Sequence, residues 1–163
     1  MARIELWNGD ICDLEVDAIV NAATVSLWMA TGVGGAIKRA GGDEIELAAV
    51  RQAPVTLGES IVTPSGRLAA RAVIHAVSLD RDRRTSAAAI EAAVRSAMAW
   101  AGEINATSVA FPALGTGVGG FPLEQAAQLM VDAVREHEPR TLDRIVFAVH
   151  SAAAERAFAG AVG

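Results

Sequence analysis

Three features of this sequence predict an α/β fold, a three-layer α/β/α sandwich around a central sheet. Segments of strand period alternate with segments of helical period along the whole chain. The 163 residues suit one domain and are too few for two independently cored ones, so residues 1–163 are read as a single unit. A hydrophobic share of 52% against 20% charged supplies ample apolar surface to bury and is unlike a disordered chain.

The elements follow in order. Ile4 and Leu6 alternate with Arg3 and Glu5, the pattern of a half-buried strand, and Val16 to Val20 forms a second run ending at Asn21. Gly35 to Ala40 is compatible with a helix. Asp43 followed by Glu46 has the spacing of a capping box opening another, with Pro54 marking its end. Strands are expected at Glu59–Thr63, stopped by Pro64-Ser65-Gly66, and at Ala72–Val77. Thr85 is placed to cap a helix running to Gly102, in which Ile90, Val94 and Met98 share one apolar face. A strand from Thr107 to Phe111 leads through a glycine loop to Pro122, at the first turn of a helix reaching about His137. Ile145–Val149 and an alanine-rich helix complete the chain. Arg81-Asp82-Arg83-Arg84 reads as a solvated connection and receives no function.

Composition narrows the chemistry. Fourteen basic against 19 acidic residues leave a formal charge of −5, which repels a nucleic-acid backbone on average, so broad nucleic-acid binding is not expected and any phosphate must be held locally. The single cysteine, Cys12, has no partner for an internal disulfide. His75, His137 and His150 lack the spacing of a zinc site, and neither a metal nor a cofactor is expected. Met1 to Asp10 lacks the apolar block of a secretion signal and no stretch approaches a membrane span, which together predict a cytoplasmic protein that avoids membranes.

One short repeat carries the functional signal. Thr31-Gly32-Val33-Gly34-Gly35 and Thr116-Gly117-Val118-Gly119-Gly120 are the same pentapeptide, each ahead of an expected helix. Glycines let backbone approach a ligand closely, and amides exposed at a helix start donate to phosphate oxygens. A single cluster would be read as a tight connection; two suggest a clasp around a diphosphate. Gly115, Gly117 and Gly120 also satisfy G-x-G-x-x-G, but late in the chain and without an acidic residue ending the next strand, which weakens a dehydrogenase reading. No G-x-x-x-x-G-K-[ST] pattern occurs.

Taken together, Asn8-Gly9-Asp10-Ile11, Asp17-Ala18-Ile19-Val20-Asn21-Ala22-Ala23, the first glycine loop, Val73-Ile74-His75 and Phe111-Pro112-Ala113-Leu114-Gly115-Thr116-Gly117 closely resemble the macro domain family. The resemblance spans nearly the whole chain. It implies a mixed central sheet and a cleft for ADP-ribose or an ADP-ribosylated molecule. By the same resemblance Asp10 accepts from the adenine amino group, with the Ile11 amide beside it. Asn21 falls near the ribose side, where a buried asparagine satisfying loop backbone is a comparable explanation. Gly32, Val33, Gly34, Gly35 and Ala36 would line the distal ribose and diphosphate. Gly115, Thr116, Gly117, Val118, Gly119, Gly120 and Phe121 would wrap the phosphates from the other side. His150 stands where many relatives carry an aromatic against adenine, and an exposed strand-end histidine is the plain alternative. His75 reads as a satisfied core residue, Cys12 has no activating partner, and Trp28 and Met29 either shape the ribose pocket or pack the first loop.

Some macro domains remove ADP-ribose from proteins or hydrolyse related esters. In the well-known hydrolase branch an asparagine follows Asn-Ala-Ala, an acid lies in the first glycine loop and an aromatic in the second. Here those positions are Thr24, Gly34 and Gly119. A glycine offers no side chain to activate water, so binding is the first expectation and substrate-assisted hydrolysis or deacetylation the alternative.

Overall fold

A computed structural model describes residues 1–163. The strands are β1 (Arg3–Asn8), β2 (Ala18–Thr24), β3 (Ser60–Pro64), β4 (Ala72–Leu79), β5 (Ser108–Phe111) and β6 (Arg144–Val149). The helices are α1 (Gly32–Gly41), α2 (Asp43–Val50), α3 (Ala87–Glu103), α4 (Leu123–His137) and α5 (Ala152–Val162). One six-stranded sheet has the order β1-β6-β5-β2-β4-β3, parallel throughout except for the antiparallel edge strand β3. The mixed sheet and the three layers agree with the sequence reading. No helix is long and apolar enough to cross a membrane.

The pleat sorts the core into its two faces. Along β6, Ile145, Phe147 and Val149 join Ile90, Val94, Met98, Met130 and Phe158 of α3, α4 and α5, while Val146 and Ala148 join Ile37 and Ile45 of α1 and α2. Strands buried on both sides carry near-continuous apolar runs, as β5 and β6 do and as β4 does apart from His75 and Ser78. The Phe147 ring lies 4.8 Å from Phe158 and 6.1 Å from Phe111, tying two strands to the last helix.

At the N-terminal ends of the strands, Asp17 binds three of them together. Its Oδ2 accepts from Thr107 N–H (2.7 Å) and Oγ1–H (2.9 Å), and its Oδ1 from Arg71 Nε–H (3.2 Å). Its carbonyl accepts from Arg71 and Ala72, and its own N–H donates to Ser108 Oγ. Hydrogen bonds from Arg71 and then Thr107 hold the Asp17 carboxyl down to about 2.

Several boundaries depart from the sequence reading. The second strand starts at Ala18 and runs through Asn21 to Thr24, because pairing with β4 continues beyond the apolar run. Helix α1 starts at Gly32 rather than Gly35. No capping box forms at α2: Gly42, at φ 113°, is the N-cap, and Glu46 is used elsewhere. That helix ends at Val50, ahead of Pro54. Ser86, not Thr85, caps α3 through Ala89 N–H, and Pro122 precedes α4 rather than opening its first turn. The remaining ends shift by one or two residues.

His75 is fully buried in β4, opposite Asn21 of β2. Its Nδ1 lies 3.1 Å from Asn21 Nδ2 and its Nε2 2.8 Å from Thr63 Oγ1, which donates to Pro64 O. A neutral ring protonated at Nε2 satisfies this whole chain. Burial holds the ring's pKa down to about 4. Between its unfolded value near 6.5 and about 4, the unfolded chain binds a proton that the native state refuses. This component of stability is therefore complete above pH ~6.5 and is lost as pH falls toward ~4, by about 3 kcal/mol. Urea unfolding over this range should show that slope, and His75→Gln should flatten it; equal slopes would contradict the assignment.

Candidate functional site

Five parallel strands deliver their C-terminal ends to one edge of the sheet, where α/β folds collect their ligands. A cleft of about 700 Å³ opens there. Its floor is Ala22 and Thr24 of β2, Leu79 of β4, Pro112 after β5, and Val149 and His150 at the end of β6.

The first glycine segment reaches the cleft as helix rather than loop, correcting the sequence reading. Thr31 is the extended N-cap without a side-chain cap bond, Gly32 turns in at φ 60°, and Gly32–Ala36 form the start of α1. The first amides of a helix have no acceptor one turn back. Gly35 N–H reaches Thr31 O at 3.0 Å, but the amides of Gly32, Val33 and Gly34 donate to no protein group.

The second segment is a tight loop that two glycines make possible. Gly115 sits at φ 77°, and a Cβ there would lie 2.8 Å from Ile90 Cδ1; at Gly119 it would lie 2.7 Å from the Gly115 carbonyl oxygen. The loop closes through Phe121 N–H to Gly115 O (2.9 Å), Gly120 N–H to Gly117 O (3.0 Å) and Thr116 Oγ1–H to Ala113 O (3.0 Å). The amides of Thr116, Gly117, Val118 and Gly119 have no acceptor within the protein. An aromatic at position 119 would require this loop to move.

A buried carboxylate positions the first segment. Glu46 of α2 accepts from Met29 N–H at 2.6 Å and pairs with Lys38 of α1 at 2.7 Å, so the chain entering α1 is tied to the helix that follows. Burial opposes its charge, but the hydrogen bonds from Lys38 and Met29 outweigh it and hold the carboxyl below its ordinary value. Met29 is thus a core residue, whereas the exposed Trp28 lines the cleft.

Of the predicted site residues, Gly32, Val33, Gly34, Gly115, Thr116, Gly117, Val118, Gly119 and His150 line the cleft. Asp10, Ile11, Asn21, Gly35, Ala36, Gly120 and Phe121 do not. Asp10 Oδ1 accepts from Cys12 N–H at 2.9 Å and caps a single 3₁₀ turn, Ile11–Asp13, beyond β1. Ile11 is buried, and its amide has no protein acceptor. Asn21 is buried with Oδ1 unpartnered, and a Cβ on Gly34 would lie 3.3 Å from that oxygen. Burial first, then the hydrogen bond and charge of Asp10, push the Cys12 thiol up to about 12, which makes it a poor nucleophile.

Sequence reasoning missed Arg81 and Arg83, which line the cleft instead of merely connecting β4 to α3. Their place directly after a buried parallel strand was the available signal, because such strand ends form the rim. No Asp, Glu or Cys lines the cleft; its ionisable side chains are Arg81, Arg83 and His150. The arrangement therefore offers donors and positive charge to an anion and no carboxylate base. Glu46→Ala should lose about 2 kcal/mol in urea unfolding, because it strands Met29 N–H and leaves Lys38 unpaired. Lys38→Met should also destabilise, because it leaves the buried Glu46 carboxylate with the Met29 amide alone.

A family model described as Macro domain matches residues 20–130. An uncharacterized protein of Mycobacterium tuberculosis is 48% identical over 162 residues, covering 99% of this chain and 45% of the relative. The chain thus spans less than half the length of that relative. A Salmonella gallinarum protein named O-acetyl-ADP-ribose deacetylase is 41% identical over 141 residues, covering 83% of this chain and 79% of that protein. Among solved structures, a Trypanosoma brucei macrodomain in complex with ADP-ribose superposes with a TM-score of 0.90 at 29% identity, covering 98% of this chain and 69% of the other. A mutant of the Oceanobacillus iheyensis macrodomain with ADPR gives 0.89 at 25% identity, covering 98% and 91%.

Proposed function

This chain belongs to the macro domain family, and from that premise we propose that its cleft binds ADP-ribose or an ADP-ribosyl group. The observation that carries the reading is the pairing of two runs of uncommitted amides, Gly32–Gly34 and Thr116–Gly119, along one cleft. A diphosphate between them would receive backbone donors from both sides, reinforced by the N-terminal dipole of α1. Solved relatives hold ADP-ribose.

The base belongs at the β1–β6 end. Gly9 N–H donates to Val149 O, which brings the Asp10 turn alongside His150. Asp10 keeps one carboxylate oxygen for an adenine amino group while the other caps Cys12, and His150 offers a ring to stack against. The distal ribose then lies toward Gly34 and Thr24.

Calorimetry with ADP-ribose, ADP and NAD tests this directly. A Cβ at Gly117 meets nothing within 4 Å, so Gly117→Glu should fold normally yet place a negative charge in the phosphate channel. Affinity for ADP-ribose should fall by roughly a hundredfold or more; unchanged affinity in the folded variant would remove the two-segment clasp.

The likeness to proteins named O-acetyl-ADP-ribose deacetylase supports a second reading, hydrolysis. With no carboxylate in the cleft and His150 at the base end, the ligand's own diphosphate is the group left to orient water at the distal ribose. Release of ADP-ribose from aspartate- or glutamate-linked protein should therefore be weak or absent. Robust steady-state release by pure protein would put the substrate-assisted route first.

A further inference from the structure

Between β4 and α3 the chain crosses the rim of the cleft in a loop built on one residue. Asp80 N–H donates to Arg84 O (2.9 Å), its carbonyl accepts from Arg83 N–H (3.0 Å), and its Oδ1 accepts from the amides of Asp82 (2.8 Å) and Arg84 (2.9 Å). Arg83 is held at φ 61°, a conformation that residues other than glycine seldom adopt. The loop is thereby fixed by backbone bonds, and its arginine side chains are left out of that network.

Those side chains are unspent. Arg81 and Arg83 line the cleft, Arg84 is exposed beside them, and none of the three takes part in an ion pair. One oxygen of the Asp80 carboxylate accepts from the loop amides, and Asp82 is the other acid of the segment. Three arginines against two aspartates leave this loop with a small positive excess in a chain of net charge −5, and it is Arg81 and Arg83, not the acids, that line the cleft.

Their position in the sheet sets what they can meet. β4 lies three strand spacings from β6, with β5 and β2 between, roughly 14 Å from the His150 end. A ligand with adenine at His150 has its far end, and whatever is attached there, near this loop. We propose that the Asp80–Arg84 loop docks an acidic peptide segment, the carboxylate-bearing flank of an ADP-ribosylated protein whose ADP-ribosyl group fills the cleft. The assignment rests on the ligand reading above. Guanidinium forks suit carboxylates, which they grip with two parallel hydrogen bonds. A polynucleotide would need a continuous basic track, whereas the positive charge lining this cleft is confined to one loop of an acidic chain.

Calorimetry at low salt with free ADP-ribose and two ADP-ribosylated peptides, one flanked by Asp and Glu and one by Ser and Ala, tests the inference. The acidic peptide should bind about three- to tenfold more tightly than the neutral one, and raising the salt to about 0.5 M should shrink the gap. Arg81→Gln/Arg83→Gln should equalise the two peptides, whatever it does to ADP-ribose itself. Equal affinities for wild-type protein, or a preference that survives the double substitution, overturn the docking role while leaving ADP-ribose binding intact. Tighter binding of an ADP-ribosylated single-stranded oligonucleotide than of the acidic peptide also overturns it. Failure of free ADP-ribose to bind overturns the ligand reading and this inference with it.

Discussion

A backbone amide withdrawn from water without an acceptor costs free energy, and proteins seldom leave several together. This chain leaves two runs of amides without a protein acceptor, Gly32–Gly34 and Thr116–Gly119, along one open cleft, where water or a ligand takes the acceptor's place. Much of the surrounding structure is what it takes to hold those groups in place. Helix α1 must start where it does so that its first amides are left over, and the second loop must close on itself without using its own. Glycine at 115 and 119 is the steric condition for that closure, because side chains there would run into Ile90 or the loop's own backbone.

The support is divided between the two ends of the sheet. At the N-terminal end Asp17 ties β2, β4 and β5 together with hydrogen bonds from Arg71 and Thr107. In the interior, the His75 chain joins β2, β3 and β4, and the phenylalanines join β5, β6 and α5. The C-terminal end is thereby freed for binding, since the strands are already in register when they reach it. Glu46 does locally for the first glycine segment what Asp17 does for the sheet, by fixing the chain on entry to α1.

Electrostatics follow the same separation of the local from the average. The chain as a whole is acidic, yet the cleft holds no carboxylate and its rim carries unpaired arginines. Net charge describes the long-range field, which salt screens within about 10 Å; ligand recognition is decided at contact distance. The acidic average and a cationic rim are therefore compatible, and the former disfavours extended polyanions while the latter favours a compact anion.

The sequence by itself determined the layers and the glycine repeat, because apolar periodicity and glycine content are local properties that burial on a sheet translates directly into faces and turns. Of the residues that line the cleft it picked out the two glycine segments and His150, while Asp10, Ile11 and Asn21 fall outside the lining. Only the tertiary structure decided the rest. Gly32–Ala36 became helix because α1 packs on the sheet, and Glu46 left its expected cap to reach Met29 and Lys38. Arg81 and Arg83 entered the rim because β4 lies beside β2 in the sheet. Each of these depends on which strands become neighbours. Strand order is set by non-local pairing between segments tens of residues apart, which a local pattern does not encode.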